Sequence, residues 1–363
     1  MTGRTVTLIL EPLDGLFFRG GKPFGAGTGA TSGLPQPQTL AGALRTALMQ
    51  RLNCNFGTLK SDLERGVPLD AALAGQGADL GAIADLSVRG PWLAKDGAPL
   101  LPAPLHLHRE KHGQALHLLT PLRDDLPGWR ETAAPEWERP LWAATEAVTE
   151  PAGGFITLKG MAEVLEGRPP AADTLWPGDC LYDIDRRVGL AIKGDTLTGE
   201  DGMLYGVGFL CLRKGVSFVA QIDGLTDALK DVLSTSEVIA WGGEGRRVRV
   251  GIKDGALPWP EPPDTPASDQ GGTVLVLTTP AFLDGGWRGA DWRPLAAAVR
   301  DPVPVSGWDL ARRQPKPTRF AVPAGSVFFF AGDPPEDLAL GPGTAEDRHL
   351  GYGCVLKGVW RHA

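Results

Sequence analysis

The sequence predicts an α+β fold, and three observations support this prediction. Short runs rich in β-branched and apolar residues occur in both halves of the chain, and a helical pattern follows the first of them. Hydrophobic residues make up 42% of the 363 residues, which is enough for a packed core. Gly 49 and Pro 32 exceed a fifth of the chain, so many loops are expected.

The elements are predicted in chain order from periodicity and from the residues that end each pattern. Residues 5–10 (TVTLIL) indicate a first strand, and a glycine-rich loop, 20–33, follows it. Apolar residues three and four apart then predict a helix over 40–52, with Thr39 as its N-cap. Further strands are predicted at 86–93, 115–119, 181–192, 203–212, 216–222, 248–252, 273–278, 327–330 and 354–360, and a short helix at 225–233.

The length predicts two domains, or three, because a domain usually has about 150 residues. Gly and Pro interrupt the patterns between 53 and 180, so we expect a large loop-rich insertion there, within an N-terminal module spanning 1–205. A C-terminal module is expected at 206–363. It contains a Pro- and Asp-rich segment, 257–272, that we expect to be a mobile connector.

Composition also excludes several classes of protein. The chain has 36 basic and 43 acidic residues, a formal net charge of −7, which excludes non-specific binding of polyanions by the whole chain. Its four cysteines lie far apart without a CxxC pair, as is typical of a reducing compartment. No apolar stretch is long enough to span a bilayer or to form a signal peptide. We therefore expect a cytoplasmic protein without a bound cofactor.

Standard phosphate-binding loops are absent from the sequence. Gly21 and Lys22 are followed by Pro23, which breaks the Walker A pattern, and the nearby glycines do not complete a GxGxxG spacing. The loop still carries Arg19 and Lys22 among glycines, between a predicted strand and a predicted helix. It could bind an anion, or it could be an ordinary surface turn.

Two groups of side chains could ligate metal, and each has a simpler interpretation. Asp183 and Asp185 would face the same side of a strand and could hold a divalent ion. The adjacent Arg186 and Arg187 favour a charge network on an edge strand instead. A second group consists of four histidines, for which a solvated hairpin is the alternative to a metal site. They are His106, His108, His112 and His117.

Two basic segments stand out in this acidic chain, 241–253 and 305–320, each with a local net charge of +3. Glycines allow a backbone to approach RNA closely, arginines neutralise phosphates, and aromatic rings stack on bases. On a strand, Arg247 and Arg249 should share one face, with Arg246 on the other. The alternative is that both segments are solvated loops.

Seven motifs occur in order along nearly the whole chain. They are LFFRGGKPFG (16–25), LPQPQTLAGALRTAL (34–48), DRRVGLAI with GMLY (185–205), WGGEGR (241–246), VSGWD (305–309), VPAGSVFFF (322–330) and GYGCVLKGVW (351–360). In this combination the sequence resembles the RAMP-superfamily proteins that form the third subunit of type III-B CRISPR (Cmr) effector complexes. The 53–180 and 257–272 regions lack strong matches.

The resemblance implies two ferredoxin-like (RRM-type) RAMP modules and a non-catalytic role. Such a subunit binds and caps the crRNA 5′ tag, docks the large Cas10-type subunit, and contacts a neighbouring RAMP backbone subunit, with no membrane involved. By position, the WGGEGR and GYG glycine segments are implied to contact RNA. With the basic residues above, the candidate RNA-binding residues are Arg19, Lys22, Arg186, Arg187, Gly242, Gly243, Gly245, Arg246, Arg247, Trp308, Arg312, Arg313, His349, Gly351 and Gly353.

Two other functions stay open. The chain could be a RAMP endoribonuclease that processes precursor crRNA by metal-independent acid–base cleavage, with His349 as the candidate group. It could also be a scaffold that contacts other subunits and barely touches RNA. Tryptophans of the predicted insertion could anchor a partner or pack onto their own domain. They are Trp129, Trp137, Trp142 and Trp176.

Overall fold

The computed structural model places helices and strands in two compact units, each made of three chain segments. The described residues are 3–18, 30–31, 33–124, 139–192, 195–196, 198–235, 237–264, 271–283, 294–309, 314–339 and 341–362. The first unit comprises Met1–Gly97, Leu181–Ala256 and Pro304–Arg319, and the second comprises Ala98–Cys180, Leu257–Val303 and Phe320–Ala363.

This division differs from the predicted modules 1–205 and 206–363. Residue 205 lies inside a strand, Gly199–Leu212, so no boundary falls there. The predicted insertion, 53–180, is divided between the two units after residue 97. The physical reason is strand pairing: segments far apart in sequence form one sheet, and a linear pattern does not show which strands will pair.

The first unit contains the six longest strands and most of the helical residues. Its strands, numbered along the whole chain, are β1 (Arg4–Pro12), β2 (Ala30–Thr31), β3 (Ser87–Lys95), β12 (Tyr182–Ile192), β13 (Gly199–Leu212), β14 (Val216–Leu225), β15 (Val238–Ala240), β16 (Arg247–Asp254), β20 (Trp308–Asp309) and β21 (Gln314–Pro315). Its helices are α1 (Pro37–Arg51), α2 (Phe56–Glu64), α3 (Leu69–Ala74), α4 (Ala78–Gly81) and α6 (Asp227–Ser234).

Within the first unit, the strands of the main sheet have the order β3-β14-β1-β16-β15, and each pair of neighbours is antiparallel. Helix α1 follows β1 and α6 follows β14, so the chain order is β1, α1, β3, β14, α6, β16. Val6, Leu8 and Leu10 of β1 are fully buried. Burying a leucine side chain stabilises the fold by about 1.5–3 kcal/mol.

Helix α1 packs against β3, β15 and α6, and it begins earlier than predicted. Its N-cap is Gln36, and Pro37 occupies the first turn, where a missing backbone N–H costs nothing. Thr39 therefore lies inside the helix, and its hydroxyl donates to the Gln36 carbonyl oxygen at 2.6 Å. The prediction of Thr39 as N-cap is wrong, whereas the predicted apolar face is confirmed by the buried Leu40, Leu44 and Leu48.

The region expected to be loop-rich contains regular structure in its first part. Asn55 caps α2 by accepting from the backbone N–H groups of Gly57 and Thr58, and α3 and α4 follow. Strand β3 lies beside β14 in the main sheet although Gly90 and Pro91 interrupt its pattern. The two residues form a bulge where the register with β14 shifts, which is a position where a strand tolerates them.

A second sheet of the first unit is built on a long hairpin. Strands β12 and β13 pair antiparallel from Tyr182 with Leu212 to Ile192 with Gly199, and β2 joins β13 in parallel. Leu16, just after β1, exchanges two backbone hydrogen bonds with Leu210 of β13 at 2.8 and 2.7 Å. The start of the chain is therefore joined to this hairpin as well as to the main sheet.

The second unit contains shorter strands. They are β4 (Ala98–Pro102), β5 (Leu107–Glu110), β6 (Leu116–Leu118), β7 (Thr120–Pro121), β8 (Leu141–Trp142), β9 (Thr149–Pro151), β10 (Phe155–Thr157), β11 (Leu175–Trp176), β17 (Gly271–Leu277), β18 (Ala296–Ala298), β23 (Val327–Phe330) and β24 (Val355–Arg361). Its helices are α5 (Leu158–Leu165), α7 (Glu336–Ala339) and α8 (Ala345–His349). Strands β19 (Val303–Val305) and β22 (Arg319–Ala321) lie at the division between the units.

The four-stranded sheet of the second unit has the order β18-β23-β17-β24, with every pair antiparallel. If the four strands are counted along the chain, their order across the sheet is second, third, first, fourth. Strands β3, β14, β1 and β16 of the first unit have the same order. The predicted connector, 257–272, ends earlier than expected, because Gly271 and Gly272 are buried in β17. Residues 265–270 lie outside the described residues.

The predicted mixture of helices and antiparallel sheets is confirmed by these two units. Among the helices of the described ranges, none combines the length and the apolar character that crossing a bilayer requires.

Candidate nucleic-acid interface

Strand β16 presents its basic residues on one exposed face. Arg247, Arg249 and Lys253 are exposed, whereas Val248 between the first two is fully buried, as the alternation of a strand requires. Arg249 forms an ion pair with Glu11 of β1, with 3.6 Å between Nη1 and Oε2. In the described part of the chain, the side chains of Arg247 and Lys253 have no hydrogen-bond or ion-pair partner. The prediction that Arg247 and Arg249 share a face is confirmed.

A tight glycine turn, 241–246, joins β15 to β16. The Trp241 N–H donates to the Arg246 carbonyl oxygen at 2.9 Å and closes the turn. Gly242 has φ +87°, and a Cβ there would lie 2.5 Å from the Phe17 carbonyl oxygen. Gly243 donates its N–H to that same oxygen at 2.8 Å. Two of the three predicted RNA-contacting glycines are therefore needed for protein packing.

Gly245 has more free space around its Cα than Gly242 and Gly243, the other two glycines of the turn. Its φ is +65°, and no atom lies within 4 Å of the position that a Cβ would take. The residue is exposed, and it is two positions before the exposed Arg247. Of the three glycines, Gly245 is the one whose backbone faces open space.

Arg246 is held by other protein groups. Its guanidinium lies over the Phe209 ring, 4.3 Å from the ring centroid, and forms an ion pair with the Asp14 carboxylate. The side chain is only 20% exposed. The Gly15 N–H, which donates to Asp14, together with the Arg246 cation, lowers the pKa of Asp14 despite the opposing effect of burial. Arg246 thus has internal partners that Arg247 lacks.

On β12, Arg187 has partners within the protein, as Arg246 does, whereas Arg186 resembles Arg247. The Arg187 guanidinium lies 5.0 Å from the Phe209 ring centroid and forms an ion pair with Asp185 at 2.7 Å. Arg186 is exposed, and in the described residues it has no hydrogen-bond or ion-pair partner. Asp183 approaches Arg213 at 3.4 Å. The predicted charge network is observed for Arg187, which pairs with Asp185, whereas Arg186 has no side-chain partner in it among the described residues.

A cleft of about 760 Å³ opens in the first unit beside Arg249. Apolar side chains of β1, β13 and β14 line it together with charged groups of both signs. Its charged lining residues are Glu11, Asp14, Asp96, Arg213, Lys214 and Arg249.

The second basic segment, 305–320, is described only in part. Trp308 belongs by its backbone to β20, which pairs with β21, but its side chain lies outside the described residues. Gln38 of α1 donates its side-chain N–H to the Ser306 carbonyl oxygen at 2.8 Å, which joins this segment to the first unit. The remaining predicted positions fall outside the described ranges. They are Arg19, Lys22, Arg312 and Arg313.

The C-terminal candidates belong to the second unit. Gly351 and Gly353 are buried with φ of +98° and +71°, and a Cβ at Gly353 would collide with the Pro342 carbonyl oxygen. The positive φ favours glycine at both positions, and packing against Pro342 adds a second reason at Gly353. His349 ends α8 and is exposed, without a hydrogen-bond or ion-pair partner among the described residues. The nearby Asp347 carboxylate accepts from Thr344 in a capping box.

The clustered histidines lie in a hairpin of the second unit. His108 of β5 is directly opposite His117 of β6, and His117 Nε2 lies 3.1 Å from a Glu110 carboxylate oxygen. His108 Nδ1 lies 3.2 Å from the Thr149 hydroxyl. Within the residues described, no three His, Cys, Asp or Glu side chains form a group that could hold a metal. The hairpin is observed, although His106 in it is buried.

Burial of His106 predicts a pH-dependent stability. Burial lowers the pKa of His106 from 6.5 to about 3, so the folded chain keeps it neutral while the unfolded chain protonates it. The free energy of unfolding should therefore fall by about 1.4 kcal/mol per pH unit below pH 6.5, until about pH 3. Urea unfolding at pH 7 and pH 5 should show this loss, and His106→Gln should lack it. An equal loss in the variant would contradict the assignment.

Two residues of this interface have no strong signal in the sequence, Asp14 and Phe209. Asp14 is one of two acids, with Glu11, that follow the predicted first strand, and Phe209 is an apolar residue in a strand pattern. The ion pair of Asp14 with Arg246 spans 232 residues of sequence, so only the fold reveals it. Of the tryptophans proposed as anchors, Trp142 is 57% exposed and Trp176 is partly buried. Trp129 and Trp137 lie outside the described residues.

The sequence matches a known protein family over nearly its whole length. A family model described as CRISPR-associated protein (Cas_Cmr3) matches residues 8–360. The chain belongs to this family. The predicted resemblance to Cmr third subunits is thereby confirmed, and the matched range includes every described part of the interface.

Solved structures share the fold of this Cas_Cmr3 family member at low sequence identity. A chain of the Type III-B Cmr-beta complex bound to cognate target RNA is 17% identical, with a TM-score of 0.55 and 96% of each chain covered. A chain of the same complex bound to cognate target RNA and AMPPnP is 19% identical, with a TM-score of 0.53, covering 98% of this chain and 99% of that one. We find no match among curated proteins.

Proposed function

We propose that this Cas_Cmr3 family member is a non-catalytic subunit of a type III-B CRISPR effector complex. In this proposal it binds and caps the crRNA 5′ tag, docks the large Cas10-type subunit and contacts a neighbouring RAMP backbone subunit. The family match and the fold shared with chains of Type III-B Cmr complexes support the assignment to such a complex.

The observation that carries RNA binding is the exposed basic face of β16. Arg247 and Lys253 are cations without a partner in the described residues, and Arg249 has only a 3.6 Å contact with Glu11. A protein that needed these charges for its own stability would pair them more closely. Unpaired cations on one face can instead displace counterions from an RNA backbone, which is a favourable source of affinity. Arg186 adds a further unpaired cation on β12.

We also propose that both units are ferredoxin-like modules. In the first unit the chain order β1, α1, β3, β14, α6, β16 and the spatial order β3-β14-β1-β16 are those of a split βαβ fold. The sheet β18-β23-β17-β24 of the second unit repeats the spatial order, and α7 and α8 lie between its third and fourth strands in sequence. In this arrangement β16 is the fourth strand of the first module, and its exposed basic face is the proposed RNA-binding surface.

The geometry around His349 favours a non-catalytic role over RNA processing. Cleavage of RNA without metal needs a base for the 2′-hydroxyl and an acid for the leaving oxygen, usually oriented by further groups. The nearest acid in sequence, Asp347, is buried and accepts from Thr344 instead of orienting His349. Among the described residues, the His349 side chain therefore has no partner of the kind that orients a general base.

Incubation of the purified chain with RNA that carries a repeat-derived 5′ tag tests this proposal. We expect binding without cleavage, with and without Mg²⁺. The measurement is gel analysis of end-labelled RNA alongside fluorescence anisotropy. A single cut that His349→Ala abolishes would favour the endoribonuclease. Absence of RNA binding by the chain would contradict the proposed RNA-binding role.

A further inference from the structure

Three elements of the proposed RNA-binding surface are joined by one short segment, 14–18. The glycine turn attaches to it through the Gly243 N–H, which donates to the Phe17 carbonyl oxygen at 2.8 Å. The β12–β13 hairpin attaches through the paired backbones of Leu16 and Leu210. Strand β1, which pairs with β16 along seven residues, leads directly into this segment.

Side chains reinforce this junction at Asp14. One carboxylate oxygen accepts from the Gly15 N–H at 2.7 Å, and the other pairs with Arg246. Arg246 in turn lies over the ring of Phe209, which belongs to the hairpin. Asp14 thus connects the start of the chain with the last residue of the glycine turn, and Phe209 connects that residue with the hairpin.

We infer that Asp14 is a positioning residue for RNA binding: it holds Arg246 against Phe209 and thereby fixes the turn from which β16 begins. This inference rests on the proposed function. Arg246 contributes to binding through the geometry of the turn, whereas Arg247, the next residue, contributes through its unpaired charge. RNA then meets cations that are already in place, so less conformational entropy is lost when it binds.

Neutralising Asp14 should change RNA affinity in opposite directions, depending on whether Asp14 acts by its position or by its charge alone. Asp14 is 62% exposed and negatively charged, so its neutralisation should strengthen the attraction of RNA if the residue acts by charge alone. If Asp14 acts by position, the same substitution releases Arg246 and weakens binding. Asp14→Asn separates these two effects because asparagine keeps the size of the side chain and removes the charge.

We expect Asp14→Asn to weaken binding of tag-bearing single-stranded RNA by the full chain about tenfold, the order of magnitude for losing a preorganised site. The slope of log affinity against log salt should stay as in the unchanged protein, because the phosphate-binding cations remain. Arg246→Ala should give the same loss, and the double variant should lose no more than either single one. Phe209→Leu should weaken binding in the same direction. Asp96→Asn is the matched control, because Asp96 lines the same cleft without contacting Arg246, and it should cause no weakening.

Fluorescence anisotropy at several salt concentrations, with thermal melting of each variant, decides between the outcomes. Unchanged or tighter binding by a folded Asp14→Asn would overturn the inference, as would fully additive losses in the double variant. If Asp14→Asn lowers the melting temperature below the assay range, unchanged binding by folded Phe209→Leu would overturn it. The proposed function fails separately, if Arg247→Ala leaves both the affinity and the salt slope unchanged.

Discussion

Replacement of Gly242 by alanine is expected to lower the free energy of unfolding by about 3 kcal/mol. Two effects add at this position. The residue has φ +87°, which is unfavourable for any residue with a Cβ, and the new Cβ would lie 2.5 Å from the Phe17 carbonyl oxygen. The neighbouring backbone must move, and the hydrogen bond between Gly243 and Phe17 should weaken with it. Urea unfolding measures the loss.

Gly245→Ala is the matched control for this substitution. Gly245 has a similar φ, +65°, but no atom within 4 Å of the added Cβ. Only the backbone strain remains, which should cost about 1 kcal/mol. Equal losses in the two variants would show that the contact with Phe17 does not constrain Gly242.

Removal of the three exposed cations of β16 should have the largest effect on RNA binding. A variant with Arg247→Ala, Arg249→Ala and Lys253→Ala should bind tag-bearing RNA about a hundredfold more weakly, and its salt slope should fall by about 2. Each lost phosphate contact on a single strand removes about 0.7 from the slope. The cations are exposed, so we expect little change in melting temperature.

A control with the same change in net charge distinguishes this interface from the general field of the protein. Lys60, Arg65 and Arg168 are surface cations that pair locally with Glu64, Asp62 and Glu166. Their replacement by alanine should leave the salt slope unchanged. If both triple variants lower the slope equally, the β16 face is not a specific site.

The basic face of β16 could be predicted from the sequence because strand alternation and local charge determine it. The roles of Arg246 and Arg247 could not be separated in that way, since both are arginines in one motif. What separates them is the Asp14 and Phe209 side chains that the fold brings to Arg246. Asp14 is 232 positions away from Arg246, and Phe209 belongs to a different strand, so neither contact leaves a local pattern to recognise.

Similar limits explain the differences in the fold. The strand predicted at 86–93 is confirmed by β3, whose Gly90 and Pro91 lie where the register with β14 shifts, but its pairing with β14 could not be predicted. The short helices α2 to α4 alternate with glycines and Pro68, so their periodicity is too brief to detect. Gly353 illustrates a further limit, because a glycine whose Cβ would collide with buried backbone looks the same in sequence as one that contacts a ligand.

Both ends of the glycine-rich motif that begins near Leu16 are fastened to the same strand. Leu16 pairs with Leu210, and Ala30 pairs with Val207, three residues away along β13. The two pairings hold the ends of the intervening segment close together. Lengthening that segment should therefore cost little, because each doubling of a loop's length adds only about 0.6 kcal/mol to the entropic cost of joining its ends. Insertions between Phe18 and Ala30 should therefore leave both pairings and the contact of Phe17 with the glycine turn intact, and a labelling peptide placed there tests this.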